Sequence, residues 1–137
     1  MEQLLVYLTA IASLAKDLHY NMYGSNFYGN HLLMDRVYDG IYDFIDEIKE
    51  NYYMYYQVQI PSDAAVVFPQ VIDLLKKSGD EISEKISALI EWMQDVIYIC
   101  DDLSNGKTQD CGDTDLLGRI SVKMKNGVAL VRKITAT

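Results

Sequence analysis

The chain is poor in the residues that break helices, cross-link chains or bind nucleic acid. It has two prolines in 137 residues, Pro61 and Pro69. Both lie mid-chain, which leaves long helix-compatible stretches on either side. It has two cysteines, Cys100 and Cys111. They form no CxxC and have no metal-ligand spacing, so they read as plain thiols. No run of about 18 uncharged apolar residues occurs, so no membrane-spanning helix is expected. The opening Met1-Glu2-Gln3 has no basic region before an apolar one, so no secretory signal is expected. Both features point to the cytoplasm. Basic residues are outnumbered, 12 Lys and Arg against 20 Asp and Glu, for a formal net charge of -8. A nucleic-acid surface needs clustered Lys and Arg. An acidic protein suits cations better, although acidity also serves solubility.

What is present is helical. Half the residues are hydrophobic and 23% are charged, an ordinary globular balance for a single domain over residues 1–137. Leu4, Leu8, Ile11, Ala15 and Leu18 recur every three or four positions and predict a helix over about 2–23. Gly24-Ser25-Asn26 signals a turn. Met34, Val37, Ile41, Phe44, Ile45 and Ile48 predict a second helix from about Asn30 to about Tyr56, roughly 40 Å long. Residues of about 57–79 read as a connection holding a short helical pattern at Val71, Ile72, Leu74 and Leu75. A third helix is expected from Gly79-Asp80 to about Leu103, and a fourth, capped by Asp113 or Thr114, carries Leu117, Ile120, Met124, Val128, Val131 and Ile134. The expected architecture is an all-α four-helix bundle with a short helix in the long middle connection.

The chain has two histidines, His19 and His31, and acids follow at Asp35, Asp46 and Glu50. On one continuous helix, with His31 at 0°, Asp35 falls at about 40°, Asp46 at about 60° and Glu50 at about 100°. His31 with Asp35, and Asp46 with Glu50, are i, i+4 neighbours. Each pair offers ligands that suit a divalent transition metal. The pairs lie about 22 Å apart along the axis, so one chain cannot bring both to one ion. Two antiparallel copies can, with a two-fold axis near Gly40, where a missing side chain would admit close approach. His19 on the first helix would complete the site. The plainer reading is a solvated face, to which Asp39, Asp43 and Glu47 also belong.

Residues 19–50, HYNMYGSNFYGNHLLMDRVYDGIYDFIDEIKE, resemble the signature of the Dps mini-ferritins, the DNA-protection-during-starvation family. The matching residues are His19, Tyr20, Asn21, Gly24, Asn26, Phe27, His31, Asp35, Asp46 and Glu50, each in register. The resemblance implies a ferritin-like fold and an inter-subunit ferroxidase site formed by His19, His31, Asp35, Asp46 and Glu50. It also implies ferrous iron as substrate, hydrogen peroxide as preferred oxidant, ferric iron stored in a protein shell, and a two-fold dimer that builds a hollow dodecamer. Tyr20 stands where the family often has Trp. The family's basic N-terminal arm has no counterpart here, since only Lys16 is basic before His19, and no tail follows the fourth helix. DNA binding is therefore not expected.

Asp35 and Glu50 are the expected main oxygen ligands, with Asp46 weaker or orienting. Asp110, Asp113 and Asp115 are candidate linings of a cation entry pore, or simply helix-start acids. Trp92 and the tyrosines read first as core. The alternative to a ferroxidase is a non-catalytic ferritin-like oligomer whose site is structural or binds zinc. A single-chain di-iron carboxylate enzyme would need two Glu-x-x-His motifs, and neither histidine has a Glu three residues before it.

Overall fold

The computed structural model describes residues 1–106 and 110–135. It is an all-helical bundle, with no strand among the described residues. The elements are α1 (Glu2–Asn21), α2 (Phe27–Tyr38), α3 (Ile41–Ile48), α4 (Phe68–Lys77), α5 (Ile82–Ser104) and α6 (Cys111–Thr135). Two π-helical segments, Lys49–Met54 and Asp63–Val67, lie between α3 and α4. No helix among the described residues is long and apolar enough to cross a membrane.

α1 is the central element. It packs against α2, α3, α4 and α5, whereas α6 packs against α5 and touches α2 and α3. This explains why α1 buries Leu4, Leu8, Ile11 and Leu18 and also Leu5, Ala12 and Leu14. A helix covered on several sides is apolar beyond one stripe. α6 buries the expected Leu117, Ile120, Met124, Val128 and Val131. Trp92 is core, as its helical spacing suggested. α4 is longer than its apolar pattern predicted, with Pro69 in its first turn. Proline suits that place because its missing N–H has no intrahelical partner there anyway.

The second helix is not continuous. α2 stops at Tyr38, Asp39 swings to ψ 132, and Gly40 takes φ +81 before α3 begins. That φ lies in the left-handed region that L side chains avoid. A Cβ on Gly40 would meet nothing within 4 Å in this chain. The glycine is therefore required by the backbone bend rather than by close packing within the protomer. Beyond Ile48 the helix widens into π geometry, with Tyr55 N–H donating to the Glu50 carbonyl at 3.2 Å and Val58 N–H to the Tyr53 carbonyl at 2.9 Å. The widened turn buries Tyr53. The single angular stripe expected from His31 to Glu50 thus does not carry past Gly40.

The helix starts also differ from expectation. α5 begins at Ile82, where Glu81 and Glu84 form a reciprocal capping box. The acid that caps α6 is Asp110, not Asp113 or Thr114. Its carboxylate accepts the Asp113 N–H at 2.9 Å, and its carbonyl accepts the Thr114 N–H at 3.2 Å. Satisfying otherwise unpaired N–H groups in this way is what an N-cap does.

Both cysteines are free, Cys100 buried and Cys111 exposed. Burial pushes the Cys100 thiol up to about 12. Desolvation favours the neutral form, so this contribution to stability is complete below the ordinary thiol value of 9.0 and is lost as pH rises toward about 12. A maleimide at neutral pH is expected to label Cys111 quickly and Cys100 only after unfolding. Equal labelling of both in the native protein would contradict this packing.

Candidate metal-ligand site

The loop between α1 and α2 folds the chain back so that the last turn of α1 meets the start of α2. His19 and His31 face each other there. Their rings stack with centroids 3.6 Å apart and planes 20° from parallel. Each ring bonds to the other residue's backbone. His19 Nδ1 lies 2.7 Å from the His31 carbonyl oxygen, and His31 Nδ1 lies 2.6 Å from the His19 carbonyl oxygen. A carbonyl oxygen can only accept, so both Nδ1 atoms carry the proton and donate. In the neutral imidazole the lone pair then sits on Nε2. Neither Nε2 has a hydrogen-bond partner among the described residues.

The local sequence explains the crossed bonds. His19 lies in the last turn of α1, where carbonyls lack intrahelical N–H partners. The His31 imidazole satisfies one of them. Tyr20 packs edge-on to His19 at 5.0 Å, and Phe27 lies against His31 at 5.2 Å. His19 is 9% exposed.

Asp35 follows His31 by one turn. Lys16, three residues before His19, holds its carboxylate at 3.3 Å. The Lys16 ammonium also sits over the Tyr38 ring, 4.4 Å from its centroid. Asp35, one helical turn from His31, is therefore engaged by a cation of the same chain. Asp46 on α3 and Glu50 in the π segment are exposed. Their carboxylates make no hydrogen bond or ion pair among the described residues. Among those residues, no three His, Cys, Asp or Glu side chains gather in one chain tightly enough to hold a metal ion. One protomer thus brings His19 and His31 together, keeps Asp35 on Lys16, and leaves Asp46 and Glu50 outside. The five expected residues therefore do not come together within one chain.

The candidate pore acids are each engaged. Asp110 caps α6, and Asp115 accepts from Arg119 at 3.0 Å. Asp113 is 3% exposed and accepts the Tyr56 hydroxyl at 2.7 Å. Arg119 also forks onto Glu47 through two bonds of 3.1 Å, tying α6 to α3. A surface groove of about 470 Å³ lies here, lined in part by Glu47, Asn51, Tyr55, Asp113 and Arg119. The Tyr56–Asp113 pair spans 57 residues of chain. Periodicity cannot reveal it, because Asp113 also fits the pattern of a helix-start acid.

No family model, curated protein or solved structure matches the chain.

Proposed function

We propose that the protein is a ferroxidase of the Dps type, with a ferritin-like bundle, that binds and oxidises ferrous iron at a site shared by two subunits. The observation that carries this reading is the crossed pair of His19 and His31. Both rings are fixed through Nδ1 to a backbone carbonyl, the partner that commonly orients metal-ligating histidines. In the neutral imidazole each ring then keeps its lone pair on Nε2, the atom that would bind a metal. Two nitrogens alone hold ferrous iron weakly, and among the described residues one chain gathers no third ligand beside them. Asp46 and Glu50, exposed and unpaired among the described residues, are the complement a second copy would bring.

In this reading His19 and His31 bind iron from one protomer, together with Asp35 once it leaves Lys16. Asp46 and Glu50 come from the partner copy, so a two-fold dimer holds two sites. Imidazole and carboxylate together accept ferrous iron. Carboxylates favour the ferric product, because the higher charge prefers oxygen donors. With hydrogen peroxide as oxidant, two ferrous ions each give one electron, the O–O bond breaks, and two protons complete two waters. Ferric iron then passes to storage within the oligomer, a dodecamer in the family the sequence resembles, which protects the cell from oxidative damage.

The test is anaerobic addition of ferrous iron followed by a peroxide pulse, with particle size measured in the same preparation. The expected result is fast ferric absorbance, one peroxide consumed per two ferrous ions, in an oligomer of even subunit number. A monomer, or oxidation no faster than in buffer, would sink the reading.

The crossed imidazole bonds also staple the end of α1 to the start of α2. That feature favours the second reading, a non-catalytic structural or zinc-binding oligomer. It predicts metal binding, or none, without faster iron oxidation.

At a net charge of -8, the protein is expected not to retard plasmid DNA in a gel at neutral pH and moderate salt. A salt-sensitive shift would reveal a basic surface created by assembly.

A further inference from the structure

The tyrosines that follow Glu50 form a connected chain of rings. Tyr53, 5% exposed, touches Tyr52 at 5.3 Å between centroids. Tyr52 touches Tyr56 at 5.2 Å, and Tyr56 touches Tyr55 at 4.9 Å. Tyr55 is 69% exposed and lines the surface groove. The chain therefore runs from solvent to the core in ring contacts close enough for electron exchange. Of these four rings, Tyr56 has a carboxylate partner. Its hydroxyl donates to Asp113 at 2.7 Å and lies 3.3 Å from an Asp110 oxygen.

That bond sets the chemistry. A phenol resists one-electron oxidation unless its proton leaves with the electron, because the phenol radical cation is a very strong acid. Proton transfer needs a base within hydrogen-bond reach, about 2.6–3.2 Å between heavy atoms. Asp113 lies within that reach and is nearly removed from solvent, so the acceptor is already in place. The two carboxylates also hold the phenol proton well above its ordinary range when no electron is removed. At neutral pH the proton thus leaves only when an electron does.

We propose that Tyr56 and Asp113 form a proton-coupled oxidation site that collects one-electron oxidising equivalents arriving at the surface through Tyr55. In the step, Tyr56 gives one electron through Tyr55 to a one-electron oxidant such as an oxygen radical. Its phenolic proton moves along the existing hydrogen bond to Asp113. The products are a neutral tyrosyl radical on Tyr56, a protonated Asp113 and a reduced oxidant. The site does not require iron and stands independently of the ferroxidase reading.

The test uses the iron-free full chain and a photogenerated ruthenium(III) tris-bipyridine oxidant, with the tyrosyl radical followed optically and by electron spin resonance. In the unaltered protein, radical formation is expected to be independent of phosphate buffer concentration, because Asp113 supplies the base. It should slow in heavy water. Tyr56→Phe and Asp113→Asn are each expected to lower the rate about tenfold, equivalent to about 1.4 kcal/mol of barrier. Tyr98→Phe removes a tyrosine that is 79% exposed and should leave the rate unchanged. A rate in the unaltered protein that rises with phosphate would overturn the proposal without recourse to any variant. So would a Tyr56→Phe protein, helical by circular dichroism, that forms radical at the parent rate.

Discussion

His31→Ala is expected to abolish accelerated iron oxidation and to lower stability at the same time. The substitution removes one Nε2 ligand. It also removes the donor to the His19 carbonyl and the ring stacked on His19 at 3.6 Å. Losing a group that merely orients a metal ligand costs about 10–100-fold, and a ligand itself costs at least as much, so the rate should fall to that of buffer. The unpaired carbonyl and lost stacking should cost about 1–3 kcal/mol. Glu50→Gln should behave differently. Glu50 is exposed and unpaired among the described residues, so oxidation should fall while the melting temperature stays put. Mixing the two inactive variants then separates a shared site from a private one. Half of randomly re-paired dimers are mixed, and each mixed dimer holds one doubly damaged site and one intact site, so about a quarter of full activity should return. No recovery on mixing, with re-pairing confirmed by size or labelling, would show that the residues do not meet across subunits.

That experiment is needed because the sequence is more legible along a helix than across chains. α1 and α6 followed from spacing, since Leu4, Leu8, Ile11 and Leu18, and Leu117, Ile120 and Val131, repeat at the helical period and are buried. His19 was expected to complete a site with His31, and the two rings do meet. Their crossed carbonyl bonds were not, because no pattern encodes which nitrogen finds a helix-end carbonyl. The Lys16–Asp35 pair was missed for a related reason. It joins α1 to α2 at a separation of 19 residues, set by packing rather than periodicity. Tyr56 and Asp113 lie further apart still and depend on the π turn, which periodicity does not encode.

The bend at Gly40 is the instructive case, because both readings of that glycine had a signal. Val37, Ile41, Ile45 and Ile48 keep a helical rhythm across it and are all buried, so periodicity predicts one unbroken helix. Asp39-Gly40 is also a turn dipeptide, and the backbone follows that signal. The two readings give stability effects of opposite sign. On an unbroken helix, Gly40→Ala would stabilise by about 1 kcal/mol. At φ +81 and ψ -7, an L side chain instead costs about 1–2 kcal/mol, more when β-branched. The space around the position is open, so no steric clash within the protomer adds to that. Gly40→Ala is therefore expected to lower the melting temperature and Gly40→Val to lower it further. Gly40→Asn should cost least, since asparagine tolerates the left-handed region. The bend also sets the angle between α2, with His31 and Asp35, and α3, with Asp46. A substitution that relaxes it toward a continuous helix rotates one ligand pair relative to the other. Iron oxidation should then fall in the order Asn, Ala, Val, in step with stability. Thermal melts and initial oxidation rates on the three variants check this together. A Gly40→Ala protein as stable as the parent would mean that the bend is not what holds this glycine in place.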